Sequence, residues 1–400
     1  MSAFESELLA RLTALQEENL FRHLRVVSSP QQPRINIEGR EFLNFSSNDY
    51  LGLATHPKLK AAASEATEKF GTGSGASRLI SGSLLPHHEL EEALAHFKNT
   101  EAALTFSSGY TTALGAIPAL LGKEDILILD KLVHASIVDA ARLSGATLRI
   151  FHHNDVDDLE SILRWADARP APKGRVLIVT ETIFSMDGDR APLREIVALK
   201  ERYGAWLMVD EAHATGLFGA NLRGLAEEAG ISDRIEIQMG TLGKALGSAG
   251  GYIAGSRTLI TYLVNKARSF IFSTAPPPAV SAAARAALAI VDSPEGWSRV
   301  KKLRANIAAF AAVESGEDSR LSPILPVLLG EEAKAVAVAN ALRDQGFFVP
   351  AIRYPTVPRG KARLRFTFSS AHALPEIQAG RHALESACNQ MRTTGDSNAR

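Results

Sequence analysis

From about residue 86 to residue 268 the chain alternates short apolar runs with helical stretches, and this alternation limits the fold more than any other feature. The pattern predicts strands at about 102–106, 126–129, 147–151, 175–180, 206–210, 235–239 and 251–254. Helices are predicted at about 86–98, 133–144, 156–165, 193–203, 222–229 and 256–268. Most of the strands are continuous apolar runs, as burial on both faces requires. Strand–helix alternation of this kind makes a mainly parallel sheet covered by helices. Ligands of such sheets gather beyond the carboxyl ends of the strands, so the residues that close each strand are the first candidates for a site.

The flanks read differently. Residues about 4–25 have the spacing of one amphipathic helix, with Phe4, Leu8, Leu9, Leu12, Leu15, Leu20 and Phe21 apolar. A hairpin follows, turning at Glu38-Gly39. Beyond residue 285 a long alanine-rich helix is predicted to about Ala312. Strands then come near 322–329, 347–353 and 362–368, with helices at 331–345 and 373–392. The expected division is an N-terminal arm and hairpin over 1–50, a large α/β domain over 51–284 and a small α+β domain over 285–400. A chain of 400 residues has room for two or three domains.

Four strand ends carry reactive side chains. Trp206-Leu-Met-Val-Asp210-Glu-Ala-His213 ends an apolar run in an aspartate and a histidine. The run Ile235-Glu-Ile-Gln-Met239 leads into Gly240-Thr-Leu-Gly-Lys244-Ala-Leu-Gly247-Ser-Ala-Gly-Gly251, a loop of small residues around one lysine. A partly desolvated lysine there can form an imine, and a carboxylate nearby can hold a pyridinium N–H. A phosphate loop of the Walker type is excluded, because Ala245 follows Lys244 and Gln238 stands five before Gly243. The glycines at 71–75 follow a helix rather than a strand, so they do not read as a dinucleotide fingerprint.

Ser107-Ser-Gly109-Tyr110-Thr-Thr112 sits at a strand-to-helix turn, where backbone N–H groups can meet an anion. His134 follows the strand ending at Asp130 and can stack on an aromatic ring, although a capping role fits it equally. Ser185, in Thr180-Glu-Thr-Ile-Phe-Ser185-Met-Asp-Gly-Asp189, can bond a cofactor or substrate oxygen or simply serve a turn. Ser273 and Thr274 precede three prolines in a stiff segment that can reach a neighbouring subunit.

Composition narrows the setting. Lys plus Arg and Asp plus Glu are each 44, which gives no net field toward nucleic acid or an anionic membrane. The single cysteine, Cys388, allows no internal disulfide and no cysteine metal site. No run of membrane-spanning length is free of charge, and residues 1–25 lack the apolar core of a signal peptide. Neither a Ser-His-Asp spacing nor a metal-ligand cluster is evident. The expected address is the cytoplasm.

Taken together, Asn44-Phe-Ser-Ser-Asn-Asp-Tyr-Leu-Gly-Leu53, Gly73-Ser-Gly-Ala-Ser-Arg-Leu-Ile-Ser-Gly82, Phe184-Ser-Met-Asp-Gly-Asp189, Val209-Asp-Glu-Ala-His213, Thr241-Leu-Gly-Lys244 and Arg353-Tyr-Pro-Thr-Val-Pro358 resemble the α-oxoamine synthase family of fold-type I enzymes dependent on pyridoxal 5′-phosphate (PLP). The resemblance implies a PLP-dependent acyltransferase that condenses an amino acid with an acyl-CoA and releases CO₂. L-alanine with pimeloyl-CoA is the implied pair. Glycine with acetyl-CoA or succinyl-CoA, and serine with a long acyl-CoA, stay open. A non-catalytic member would be expected to lack Lys244.

By position, Lys244 resembles the imine-forming lysine, Asp210 the pyridinium partner, His213 the donor to the ring oxygen and His134 the residue stacked on the ring. Gly109, Tyr110, Ser185, Thr241, Ser273 and Thr274 resemble cofactor contacts. Arg22, Asn48, His134, Arg353 and Thr356 resemble substrate contacts. Tyr354 departs from the pattern of the alanine enzyme, where proline is common, and Tyr-Pro-Thr-Val-Pro is also similar to 5-aminolevulinate synthase. Ser77–Ser81, however, lacks the Arg-Asn pair of that enzyme. The family resemblance also implies a homodimer with composite sites.

Overall fold

The computed structural model describes residues 1–170, 173–311 and 322–397. Along the chain the strands are β1 Arg34–Ile37, β2 Arg40–Asn44, β3 Ala102–Phe106, β4 Ile126–Asp130, β5 Thr147–Phe151, β6 Val176–Glu181, β7 Trp206–Asp210, β8 Ile237–Thr241, β9 Gly251–Gly255, β10 Ile324–Gly330, β11 Phe347–Phe348, β12 Ala351–Ile352 and β13 Ala362–Thr367. The chain divides into two compact units. One comprises 49–185 and 189–302, the other 1–48, 186–188 and 303–400.

The larger unit is built on a seven-stranded sheet of order β3-β9-β8-β7-β6-β4-β5. Strands β4 to β8 pair in parallel, as the apolar runs separated by helices require. β9 is the exception and runs antiparallel to both β3 and β8. The segment from Thr241 to Gly251 is too short for a crossover helix, so the chain can only turn back beside β8. The central strands are buried along their length. Their side chains join Leu104, Ile117, Leu127, Leu129, Ile137, Val179, Met208 and Ile253 in one core.

Register at the carboxyl ends of the strands decides what meets at the site. Glu181 of β6 pairs with Asp210 of β7, and Asp210 pairs with Met239 of β8. Two acidic side chains therefore end neighbouring strands at one level. Predicted strand β8 moves on by two residues: it begins at Ile237 and runs to Thr241, into the glycine loop.

The smaller unit holds two three-stranded sheets, β1-β2-β11 and β10-β13-β12. The hairpin turns at Glu38 and Gly39, both with positive φ (53° and 82°), which matches the twist of its strands. Three expectations here need correction. The N-terminal helix stops at Glu17 rather than near 25, and Asn19 adopts a left-handed φ of 58° just beyond its end. The alanine-rich stretch is two helices, Pro278–Val291 and Pro294–Ala311, broken where Pro294 cannot continue the first one. The strand expected at 347–353 is interrupted at Pro350, which leaves β11 and β12 in different sheets. Residue 312, the expected end of the second helix, lies outside the described residues.

Candidate active site

A cavity of about 180 Å³ opens at the carboxyl ends of β6, β7 and β8 in the larger unit. Of the residues singled out from sequence, Gly109, Tyr110, His134, Asp210, His213, Thr241 and Lys244 line it. Glu181, Ser136, Ala212 and Met239 complete its wall.

Lys244 Nζ lies 2.7 Å from Nε2 of His213, and Nδ1 of the same ring lies 2.7 Å from the hydroxyl of Tyr50. Tyr50 and His213 are buried, so the amine joins a hydrogen-bonded chain rooted in the core. Lys244 itself is half-buried. Its loop is shaped by Thr241, whose hydroxyl donates to the Gly250 carbonyl at 3.0 Å and accepts from the Gly243 N–H at 3.2 Å.

Asp210 is buried, and its Oδ1 accepts from the Ala212 N–H at 2.9 Å. Burial pushes the carboxyl above the usual aspartate range, while the charge of Lys244 and the ring of His134 pull it back. A cationic ring N–H placed against it would favour the ionised form. His134 caps the helix Ala135–Ser144, its Nδ1 accepting from the Ser136 N–H at 3.2 Å. That contact assigns the proton of the neutral ring to Nε2. The protein surrounding His134 lowers its pKa, against the pull of Asp210, so the ring stays neutral at ordinary pH.

The helix Gly109–Leu120 begins at the cavity. Ser108 caps it, accepting from the Thr111 N–H at 3.1 Å. The first-turn N–H groups and the helix dipole make this end an anion site. Gly251 lets that end approach the sheet, since a Cβ there would lie 2.7 Å from the backbone of Gly109 and 2.4 Å from Thr112 Oγ1. The Tyr110 hydroxyl donates to Asp139 on the next helix.

Not every predicted residue joins this wall. Ser185 is close behind it, its N–H donating to Glu181 Oε2 at 3.1 Å. Ser273 and Thr274 are elsewhere in the larger unit, where Thr274 bridges to Ser77. Arg22, Asn48, Arg353 and Thr356 belong to the smaller unit. There the Asn48 side chain accepts from Arg365 at 3.1 Å, and the Thr356 N–H donates to the Arg353 carbonyl at 3.0 Å. Arg353 donates to the Asn19 carbonyl, and burial and the nearby charge of Arg22 lower its pKa. Arg22 is exposed, five residues past the helix expected to carry it.

Two residues of the larger unit escaped the sequence reading. Tyr50 meets His213 across 163 positions of sequence; it stands within the stretch Asn44–Leu53, where nothing points to that partner. Glu181 left a signal: a polar residue closing a buried strand. Its carboxyl is buried between Asp210 and the turn to Ser185.

The donor set fits pyridoxal 5′-phosphate. Lys244 would supply an amine for its aldehyde, Asp210 a buried carboxylate for its ring nitrogen, His134 a flat neutral ring, and the capped helix N-terminus a seat for its phosphate. The chain matches the model of the aminotransferase class I and II family over residues 40–384. It is 52% identical over 371 residues, 92% of this chain and 94% of the relative, to the 8-amino-7-oxononanoate synthase of Geobacter sulfurreducens. The enzyme of that name from Geotalea daltonii is 47% identical, covering 96% of this chain and 98% of its own. Among solved structures, a serine palmitoyltransferase from S. paucimobilis holding a PLP–myriocin aldimine superposes with a TM-score of 0.90. It is 30% identical, over 98% of this chain and all of that one. The 8-amino-7-oxononanoate synthase of Francisella tularensis superposes with a TM-score of 0.72 at 28% identity, over 88% of this chain and 99% of that one.

Proposed function

The chain belongs to the aminotransferase class I and II family, and we infer that within it the chain works as an 8-amino-7-oxononanoate synthase with pyridoxal 5′-phosphate as cofactor. The observation that carries this reading is the agreement of eight relatives, 46–52% identical over nearly the whole chain, all bearing that one activity. The sister condensations, of glycine with acetyl-CoA or succinyl-CoA, are not favoured by any of them. The reaction joins L-alanine to pimeloyl-CoA (or the pimeloyl group of a carrier protein), a step toward biotin. The alanine Cα gives up its proton and bonds to the acyl carbon, the thioester C–S bond breaks and coenzyme A leaves, the alanine carboxylate departs as CO₂, and Cα takes back a proton.

When bound, pyridoxal phosphate supplies an electron sink for the pair left at Cα by the departing proton and carboxylate. The chain supplies the rest. Lys244 would hold the cofactor aldehyde, and its Nζ would take the proton from the alanine Cα. The His213–Tyr50 chain aims Nζ through His213 Nε2, the ring nitrogen in contact with it, while Tyr50 holds the other ring nitrogen. His213 also serves as donor to the ring oxygen. Asp210 keeps the ring nitrogen protonated. His134 would stack on the ring and offer its Nε2–H to the substrate. Gly109, Tyr110, Thr241 and Ser185 hold the phosphate and ring in place.

Asn48, Arg353 and Thr356 receive the amino-acid carboxylate, and Arg22 the distal carboxylate of the pimeloyl chain. A charge far from the reacting carbon needs its own cation. Ser273 and Thr274 reach the cofactor phosphate of the other subunit in a homodimer with composite sites. Neither lines the cavity of its own chain, which supports that arrangement. We place the enzyme in the cytoplasm; among the described residues no helix is long and apolar enough to cross a membrane.

The test is turnover with alanine, glycine and serine against pimeloyl-, acetyl-, succinyl- and palmitoyl-CoA. The alanine–pimeloyl pair is expected to exceed every other by at least about a hundredfold. A preference for glycine with a short acyl group would overturn the reading.

A further inference from the structure

Outside the cavity wall, the loops that follow β4, β5 and β6 meet on one side chain. His153, two residues past β5, has Nδ1 3.0 Å from Asp130 Oδ1 and Nε2 2.7 Å from Asp189 Oδ2. Both ring nitrogens thus face carboxylate oxygens. An ionised carboxylate only accepts, and a neutral imidazole has a single N–H, so only the imidazolium satisfies both contacts at once.

Each carboxylate shapes a turn that carries a residue of the proposed cofactor site. Asp130 closes β4 and is buried. Its Oδ1 also accepts from the Leu132 N–H at 2.8 Å, and its Oδ2 accepts from the Asn154 N–H at 2.9 Å. This folds the turn that brings His134 to the cavity. Asp189 closes the turn that carries Ser185. Its carbonyl accepts from the Phe184 N–H at 3.0 Å, and Ile183 bridges to Arg190. The Asn154 side chain donates to Asp189 Oδ2 at 3.0 Å and to the Arg190 carbonyl at 3.1 Å. Phe184, the neighbour of Ser185, is buried with its ring T-shaped to that of His153, centroids 4.3 Å apart.

We propose that His153 is a positioning residue for the reaction: as a cation bridging Asp130 and Asp189, it holds the His134 turn and the Ser185 turn in fixed relation across the cofactor site.

Burial works against charge on the ring, and the two carboxylates overcome it, raising its pKa to about 10. The ring is therefore charged throughout the neutral range. Without it, two carboxylates would stand near each other with no cation between them. Each turn keeps its own backbone hydrogen bonds, so both should persist in a variant and lose only the link across them.

The inference rests on the PLP reading of the cavity, and the experiment separates the two. Nitrogen NMR of the histidine-labelled apoenzyme at about pH 8, where an ordinary histidine is neutral, should show one ring protonated on both nitrogens, a signal absent from His153→Ala. PLP titration of apoenzyme should show affinity roughly tenfold weaker in His153→Ala, the lower end of the range for a hydrogen bond to a charged group. The visible circular dichroism of the bound cofactor, which reports how its ring is held, should change in step. Imidazole added to His153→Ala should restore affinity and dichroism in part and leave wild type unaffected. Should that variant fail to fold, Asp189→Asn, which keeps the shape of the turn and removes one charge, should weaken PLP binding at least about threefold. A neutral His153 in wild type, or variants that lose melting temperature while PLP affinity and dichroism stay as in wild type, overturn the proposal. Wild type that takes up no PLP in the same titration would instead overturn the PLP reading.

Discussion

The reactive residues that close apolar runs are the ones a sequence exposes, and Lys244, Asp210, His213 and His134 all do so. Buried strands present few polar groups, so those at their ends stand out. Tyr50 acquires its position from tertiary contact, with a histidine 163 positions away, whereas Glu181 also closes an apolar run and gains its acidic neighbour from the β6–β7 register. Because Lys244 stands in a loop of small residues with its amine at the end of the Tyr50–His213 chain, removing it should spare the fold. Lys244→Ala is expected to give a protein with an unchanged circular dichroism spectrum and turnover reduced by at least about a hundredfold, the lower range for loss of a proton-transfer group. Turnover above a hundredth of wild type would contradict its role.

His153 gives the residue scale a second test. It lies 3.0 Å from Asp130 and 2.7 Å from Asp189, joining the end of β4 to the turn after Phe184. Burial alone would lower its pKa, but the two carboxylates overcome burial and hold the ring at about 10 against an ordinary 6.5. A folded-state pKa above the unfolded one gives stability that is complete below about 6.5 and fades as pH rises toward about 10. Wild type should therefore lose melting temperature across that window more steeply than His153→Gln, and the two profiles should converge near its upper end. Parallel profiles would show that the ring is not charged in the folded state.

At the scale of elements, the seven-stranded sheet was legible because continuous apolar runs and short polar joints carry its pattern directly. The failures cluster where backbone chemistry overrides side-chain periodicity. Pro294 splits an alanine-rich helix, Pro350 splits a strand, and the left-handed Asn19 follows a helix whose apolar spacing continues to Phe21. Close approach between elements is equally hard to read. Gly251 looks like any loop glycine, yet it is the position at which β9 touches the first turn of the helix Gly109–Leu120. Gly251→Ala would drive a methyl group into Gly109 and Thr112 and displace the proposed phosphate seat. Since overpacking costs about 1–3 kcal/mol, PLP affinity should fall roughly tenfold to hundredfold. Cofactor titration followed by its absorbance checks this, and an unchanged dissociation constant would detach that helix end from the phosphate.

For the whole molecule, the sequence pointed to a partner chain through one stiff segment, and the larger unit adds further support. Near Ser273 and Thr274, Phe272 is 71% exposed and Ile80 80% exposed, which is costly for a chain that stays alone in water. The adjacent backbone is pinned to the 74–77 loop: the Ala275 N–H donates to the Ala76 carbonyl at 3.0 Å and Ser74 Oγ donates to Pro276 at 2.6 Å. The segment is thus rigid, apolar at its surface and apart from its own cavity, which suits delivery of Thr274 to a second copy. Composite sites predict complementation. In the proposed composite site, Lys244→Ala removes the amine of its own site, and Thr274→Glu would set a carboxylate against the phosphate of the other. Each homodimer should be inactive. In a mixed dimer both lesions fall on one site and leave the other intact. Random pairing of equal amounts by two-fold symmetry makes half the dimers mixed, so about a quarter of all sites should work. Activity rising from near zero toward roughly that fraction on co-expression is the expected result. If each site is built from one chain, every site in the mixture carries a lesion, and no activity can return.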